Sequence, residues 1–172
     1  MTSGPDQRLG FEVKAKVEDD MFRGASSLNM DQKGRFAVPA KYRQVLTERC
    51  DGQFVLTVNN TGERCLWLYP QDEWEQIERK VVELPSFDPL AQALKRLLIG
   101  YATDCDLSSG GRIRVSAPLR EFAGLEKHIV LIGQGNKFEI WDEGLWKVKC
   151  DEWLLKQPED RQLPIELESL SL

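Results

Sequence analysis

Short stretches of apolar residues, separated by polar turns, run along this chain, and their spacing alternates between that of strands and that of helices. Pro39 stops a strand and suits the first turn of a helix that carries Tyr42, Val45 and Leu46 on one face. In the first half of the chain the pattern predicts strands at 26–31 and 35–38, a helix after Pro39, strands at 53–58 and 64–69, and a helix over 72–84.

The same order of elements returns in the second half. Asp88 before Pro89 predicts the start of an intervening helix that passes through Leu97 and Leu98. The residues 133–136, which include two glycines and an asparagine, are predicted to form a hairpin turn. The predicted elements are strands at 101–107 and 112–115, a short helix near 118–122, strands at 128–132 and 137–141, and a helix over 142–155.

An internal repeat underlies this order. Gly34-Arg35 recurs as Gly111-Arg112, followed by the same apolar positions and by an arginine eight residues after the first. Such a repeat indicates two copies of one small module. Modules of about 45 residues with short strands bury too little surface to be stable alone, so we expect the copies to pair.

The repeat divides the chain into five predicted parts. Two halves are separated by a linker, and a segment lies at each end. The parts are a flexible N-terminal extension at 1–20, a first half at 21–84, a linker and helix at 85–100, a second half at 101–156 and a weakly ordered acidic tail at 157–172.

Composition excludes several classes of protein. The 172 residues include no apolar run near the roughly 20 residues that span a bilayer, and residues 1–20 lack the apolar centre of a signal peptide. The four cysteines are far apart, which favours reduced thiols over a metal or redox site. His128 is the single histidine and is expected at the edge of a strand. We therefore expect no membrane, no metal, no cofactor and no small-molecule substrate.

Two further groups of residues allow a catalytic or binding interpretation. The carboxylate pairs Asp72-Glu73 and Asp142-Glu143 precede apparent helices, where acids favour the positive end of the helix dipole, so this structural use is preferred to catalysis. The aromatic residues are either a platform for stacking bases of a single strand or, as we prefer, core residues between strand and helix. These aromatic residues are Trp67, Tyr69, Trp74, Trp141 and Trp146.

Four motifs, ordered along the chain, resemble those of the MraZ family of bacterial transcriptional regulators. The resemblance covers about residues 21–172. The motifs are Met21-Phe22-Arg23-Gly24, the Asp31-x-Lys33-Gly34-Arg35 turn with Val38-Pro39, Leu97-Leu98-x-Gly100, and Gly133-Gln134-x-Asn136-Lys137-Phe138-Glu139-x-Trp141.

The resemblance implies an α+β fold in which the tandem pseudo-repeat forms an AbrB-like swapped-hairpin β-barrel with flanking helices. It also implies a cytoplasmic, nucleoid-associated protein that assembles into closed rings of several subunits. Members of the family bind double-stranded DNA at tandem short repeats upstream of the division and cell-wall gene cluster, and they typically repress that cluster and their own gene.

The chemistry of the first turn agrees with DNA binding. Gly34 allows a tight turn that projects Lys33 and Arg35, and arginine suits bidentate reading of guanine, whereas lysine suits phosphate. We assign Arg35 to base contact and Lys33 to backbone or base contact. A solvated turn without a partner is the alternative. The complete set predicted to bind DNA is Lys33, Gly34, Arg35, Arg112, Arg114 and Arg23.

The second turn departs from the family pattern. Asp31 in the first turn is expected to pair with Arg35 or to cap backbone amides, whereas Ser108 stands at the corresponding position and can only cap. Asp31 and Ser108 are therefore the predicted turn-orienting residues, and Arg112 is expected to be less fixed than Arg35.

The net charge of −5 does not exclude DNA binding, because the charges are segregated. Residues 21–49 carry six arginines and lysines against two acids, while residues 139–172 are predominantly acidic. Two other classes of function remain open: a ring-forming protein–protein interaction module without specific DNA binding, and an enzyme.

Overall fold

Eight strands and five helices make up residues 21–156, the part of the chain that a computed structural model describes. A π-helical turn over Lys95–Ile99 continues the third helix. The elements are β1 (Phe22–Asn29), β2 (Arg35–Ala37), α1 (Ala40–Cys50), β3 (Gln53–Val58), β4 (Leu66–Pro70), α2 (Gln71–Val82), α3 (Pro89–Leu94), β5 (Thr103–Asp106), β6 (Arg112–Arg114), α4 (Ala117–Ala123), β7 (His128–Gly135), β8 (Phe138–Asp142) and α5 (Glu143–Leu155).

The predicted order of elements, with its repeat, is confirmed for this part of the chain. The predicted flexible extension at 1–20 and acidic tail at 157–172 lie outside the described residues.

The strands of the two halves are interleaved. Six strands form an antiparallel sheet in the order β1-β7-β8-β4-β3-β5, and β2 pairs with β6 in a separate two-stranded ribbon. If β1 is exchanged with β5, β3 with β7 and β4 with β8, the result is the same strand order read from the opposite edge of the sheet. A pseudo-twofold axis therefore passes between β4 and β8. Each half therefore completes its strand pairing with strands of the other half.

The closed barrel predicted from the family resemblance is wrong for these strands. The six-stranded sheet is open, with β1 and β5 at its edges, and β2 and β6 pair with each other and with no strand of the sheet. The short ribbon strands cannot bridge both edges of the sheet. They are attached to it by side chains, because Phe36 and Ile113 point into the main core.

The main core lies between one face of the sheet and a layer formed by the ribbon, α1 and α4. Phe36, Leu46, Ile113 and Leu119 come from that layer and are almost completely buried. They pack against sheet residues of both halves, including Phe138. Burial of side chains from both halves in one core makes the two copies depend on each other for stability.

The opposite face of the sheet carries α2, α3 and α5. Tyr69, Trp74 and Trp141 are buried there, which confirms the core interpretation of these aromatic residues. The carboxylate of Glu139 on β8 accepts hydrogen bonds from Nε1 of Trp67, at 3.0 Å, and from Nε1 of Trp141, at 3.3 Å. A buried carboxylate needs such donors, and the bond from Trp67 joins β4 of the first half to β8 of the second.

Several predicted boundaries differ from the structure, most of them by one or two residues. β1 begins at Phe22 rather than at 26, and β4 begins at Leu66 rather than at 64. β7 continues to Gly135, so the chain reverses at 136–137 and most of the predicted turn belongs to the strand. Gly133 and Gly135 suggested a turn. Gly133 instead lies opposite Gly24 in the pairing of β1 with β7, where the two backbones approach closely.

The acidic pairs lie at the starts of helices, as predicted. Asp72 and Glu73 occupy the first turn of α2 and both form ion pairs with Arg49, each at 3.0 Å. Asp142 caps α5 by accepting the backbone N–H of Leu145 at 3.0 Å. Their contacts are thus those of helix-stabilising residues.

All four cysteines are free thiols. Burial raises the pKa of Cys105 to about 12 and also raises that of Cys65. Within residues 21–156, no helix has both the length and the apolar character to cross a bilayer, and no three His, Cys, Asp or Glu residues converge as metal ligands.

Replacing Phe138 with alanine tests the shared core. Phe138 stacks on Phe22 at 4.3 Å between ring centroids and meets Tyr42 edge-on at 4.9 Å, so it joins the second half to the first. We expect Phe138→Ala to lower the free energy of unfolding by about 3–5 kcal/mol, measured by urea denaturation. The exposed control Val148→Ala should change it by less than about 0.5 kcal/mol. Two separate transitions in the wild-type protein would contradict a shared core.

Candidate nucleic-acid interface

The ribbon of β2 and β6 presents an arginine-rich face to solvent. Its register places Arg35 opposite Arg114, Phe36 opposite Ile113 and Ala37 opposite Arg112. The alternation of a strand puts Phe36 and Ile113 inside, so the three arginines share the outer face and are exposed. Paired residues have Cα atoms roughly 4.5–5.5 Å apart, so Arg35 and Arg114 concentrate positive charge on a very small surface.

Asp31 organises the turn that leads into β2. One carboxylate oxygen, Oδ1, accepts the backbone N–H groups of Lys33 and Arg35, both at 2.9 Å. The other, Oδ2, lies 2.8 Å from Nε of Arg35. Asp31 thus makes both of the interactions that the sequence suggested, amide capping and ion pairing. The hydrogen bond from the Arg35 backbone, helped by the Arg35 side chain and the Lys33 backbone, lowers the pKa of Asp31.

The second turn has the same backbone and a weaker anchor. Ser108 accepts the N–H of Arg112 through Oγ at 3.1 Å, matching the bond from Arg35 to Asp31. The backbone bonds that close the turn are also repeated. Gly111 donates its N–H to the carbonyl of Ser108 at 2.8 Å, and Ser108 donates its N–H to the carbonyl of Arg112 at 3.0 Å. Serine supplies no charge to orient the guanidinium of Arg112.

Gly34 differs from the rest of the predicted set because it is buried. Its φ of +82° and the φ of +70° at Gly111 are values that side chains other than glycine rarely adopt. Val115 donates its N–H to the carbonyl of Gly34 at 2.8 Å, and Val38 donates to Gly111 at 2.9 Å. The contribution of Gly34 is therefore conformational: it lets the turn close against the neighbouring strand.

Lys33 is exposed at the end of the first turn, beside Arg35. Arg23, by contrast, is not brought to the ribbon. It lies on β1 opposite Gln134, six residues before Asn29, which is about 20 Å of extended chain. Its carbonyl accepts the hydroxyl of Tyr42 on α1. The predicted binding residues thus form a ribbon group of Lys33, Arg35, Arg112 and Arg114, with Arg23 apart.

The two flanks of the ribbon carry opposite charge. A cleft of about 310 Å³ lies beside Arg35 and Arg112 and also includes Asp31 and Lys127, a cation that the sequence pattern did not single out. A cleft of about 330 Å³ on the other side, beside Arg114, includes Asp104 and Asp106 of β5. Alignment of the two repeats could have revealed this difference in charge, because Ser27 and Asn29 of β1 correspond to Asp104 and Asp106 of β5.

Several cations of the basic segment 21–49 have structural partners and lie apart from the arginine face of the ribbon. Arg49 binds Asp72 and Glu73 on α2. Arg43 donates from Nε to the carbonyl of Val38 at 2.6 Å. Nζ of Lys41 lies over the ring of Tyr42, 4.7 Å from its centroid. The charge available for a polyanion is thus smaller than the sequence count suggested, and it is concentrated on the ribbon.

Acidification should release the first turn. The folded pKa of Asp31 is below the ordinary value of 3.8, so its ionised form stabilises the fold at pH values above that value, and the contribution is lost as pH falls through the folded pKa. We expect Asp31→Asn to lower Tm at pH 7 and the difference from wild type to vanish in strong acid. Thermal unfolding across pH and carboxyl NMR titration measure both effects.

Two variants complete this test. Asp151→Asn removes an exposed charge on α5 and should leave the pH dependence unchanged. Ser108→Asp should acquire the lowered carboxyl pKa that Asp31 shows. An Asp31 carboxyl that titrates at the ordinary value would contradict the described geometry.

Comparison with known proteins shows the family of this chain. A family model described as "MraZ protein, putative antitoxin-like" matches residues 21–97 and again residues 98–162. Similar proteins named "Transcriptional regulator MraZ" include those of Thioalkalivibrio sulfidiphilus, 50% identical over 152 residues, and Halorhodospira halophila, 52% identical over 153 residues; each alignment covers 88% of this chain and 100% of the relative. The protein of Methylococcus capsulatus is 53% identical over 134 residues, covering 78% of this chain and 87% of the relative. With both halves matched and most of its length aligned, this chain belongs to the MraZ family.

Proposed function

We propose that this protein is a sequence-specific double-stranded DNA-binding regulator of transcription. The observation that carries the proposal is the exposed face of the ribbon, where Arg35, Arg112 and Arg114 project together from a rigid two-stranded support. The names of the relatives, which are transcriptional regulators, support the same conclusion. No arrangement of catalytic groups is needed for this function.

The shape and chemistry of the ribbon fit a DNA groove. The major groove admits a two-stranded β-ribbon, and arginine reads guanine there through two hydrogen bonds to O6 and N7. Like charges placed opposite each other on neighbouring strands destabilise a protein in isolation. A polyanion that binds across Arg35 and Arg114 would relieve that repulsion, which favours phosphate-rich DNA as the partner.

The first turn should contribute more than the second. Asp31 fixes the guanidinium of Arg35, so less side-chain freedom is lost on binding. Lys33 and Lys127 add positive charge on this side. In the cleft beside Arg114, Asp104 and Asp106 repel phosphate.

The regulatory context follows from the family. We propose that the operator consists of tandem short repeats upstream of the division and cell-wall gene cluster, that the protein represses this cluster and its own gene, and that it is cytoplasmic and associated with the nucleoid. A closed homo-oligomeric ring would let neighbouring subunits engage successive repeats and so raise the affinity by effective concentration. The interleaved strands support the swapped-hairpin description of the fold.

A ring-forming interaction module without specific DNA binding is the second candidate. Exposed apolar side chains favour subunit contacts whether or not DNA is bound. Phe87 is fully exposed, and Leu90, Leu154 and Leu155 are largely so. The arginine face of the ribbon has no role in this alternative.

Anisotropy titration with the chain's own upstream DNA separates the two candidates. We expect Arg35→Ala to raise Kd by about 10-fold or more, because a bidentate base contact is worth about 1–3 kcal/mol, and Arg112→Ala to raise it less. Scrambled repeats and a salt series show whether binding is sequence-specific and electrostatic. Arg79→Ala, which removes an exposed cation of α2, is the matched control. Binding that ignores both salt and Arg35→Ala would exclude the ribbon as the DNA site.

The assembly makes a separate prediction. Light scattering should give a mass several times the 19.7 kDa of one chain. Phe87→Ser combined with Leu90→Ser should lower this mass if α3 lies at a subunit contact, and should weaken binding to tandem repeats more than binding to one repeat. A monomer at micromolar concentration would contradict the ring.

A further inference from the structure

Two equivalent arginines each cover the turn of the opposite half. Arg120 on α4 lies against Gly34 in the first turn: a Cβ placed on Gly34 would be 3.0 Å from Nε and 3.1 Å from Cδ of Arg120. Arg43 on α1 lies against Gly111 in the second turn, where a Cβ would be 2.6 Å from Nε and 2.8 Å from Cζ. A side chain at Gly111 would displace Arg43, and one at Gly34 would crowd Arg120 and also the carbonyl oxygen of Val115.

The guanidinium groups also bind backbone atoms near the ribbon. Nη1 of Arg120 donates to the carbonyl of Gln32, inside the first turn, at 3.3 Å. Arg43 donates to the carbonyl of Val38, directly after β2, at 2.6 Å. The N–H of Val38 in turn binds the carbonyl of Gly111. Each arginine therefore connects a helix of one half to the ribbon or turn through backbone groups.

These arginines do not lie on the exposed face with Arg35 and Arg114. Both are half-buried, and Nε of Arg120 is buried without a hydrogen-bond partner among the described residues. Burying such a donor has a cost in free energy, which the packing on Gly34 and the hydrogen bond to Gln32 must offset. Arginine fits this position better than lysine, because a planar guanidinium can lie flat on peptide groups.

We infer that Arg120 and Arg43 are positioning residues for DNA binding, each holding the turn of the opposite half in its binding geometry. This inference rests on the proposed DNA-binding function. Because support runs from α4 to the first turn and from α1 to the second, an ordered turn requires both halves to be folded together.

The salt dependence of DNA binding distinguishes positioning from direct contact. Arg120→Ala should raise Kd by about 10-fold, in the range for one weakened base contact, and leave the slope of log Kd against log salt unchanged. Lys33→Ala, which removes an exposed cation, should reduce the slope by about 0.9 for each phosphate that is no longer neutralised. Arg120→Lys should fail to restore affinity, since it restores the charge without the planar group. A slope reduced by Arg120→Ala, or full rescue by lysine, would overturn the inference.

Hydrogen exchange in the DNA-free protein gives an independent readout. The N–H of Arg35 is bound by Asp31 and the N–H of Arg112 by Ser108, so each reports the order of its own turn. Arg120→Ala should speed exchange at Arg35 about 10-fold and spare Arg112, whereas Arg43→Ala should do the reverse. If Arg120→Ala does not fold, Arg120→Met keeps the unbranched stem against Gly34 and serves the same test.

The two readouts separate the inference from the proposed function. Suppose that the wild-type protein binds no DNA, while Arg120→Ala speeds exchange only at Arg35 and Arg43→Ala only at Arg112. That result would refute DNA binding and retain the support of each turn by the opposite half. Exchange that changes equally in both turns, or only in the turn on the same half as the substitution, would refute that support.

Discussion

Antiparallel pairing of β2 with β6 is the constraint on which the rest of this structure depends. It places Phe36 opposite Ile113 on the inner face of the ribbon, where both enter the main core. The alternation of a strand then forces Arg35, Arg112 and Arg114 onto the outer face. Burial of two apolar side chains thus produces the cationic surface, and any change that shifted the register by one residue would bury arginines.

The two turns that flank the ribbon share one backbone arrangement but differ in their side chains. The hydrogen bonds around the two turns correspond closely. The side chain of Asp31 accepts the N–H of Arg35, and the side chain of Ser108 accepts the N–H of Arg112. The side chains have diverged: Asp31 supplies a carboxylate where the other turn has Ser108, and two acids lie in the cleft beside Arg114. A duplicated scaffold tolerates such divergence because the backbone bonds that close each turn are the same in both halves.

Local features of this fold could be predicted from the sequence, and non-local ones could not. Asp31 acts on residues two and four positions away, so its hydrogen bonds follow from turn chemistry. The strands and helices follow from apolar spacing, apart from boundaries at glycines such as Gly24 and Gly133, whose role depends on the strand opposite. Three features depend on contacts between residues far apart in the chain, and no local pattern encodes them. They are the open sheet, the cleft beside Lys127 and the packing of Arg43 and Arg120 on glycines of the opposite half.

Covalent connection of the halves through residues 85–100 has a consequence for how the ribbon forms. If the two modules were separate polypeptides, their mutual folding would be bimolecular and would weaken on dilution. Joined in one chain, they meet in a unimolecular step whose equilibrium is independent of how many molecules a cell contains. The arginine face of the ribbon therefore stays assembled even at very low copy number.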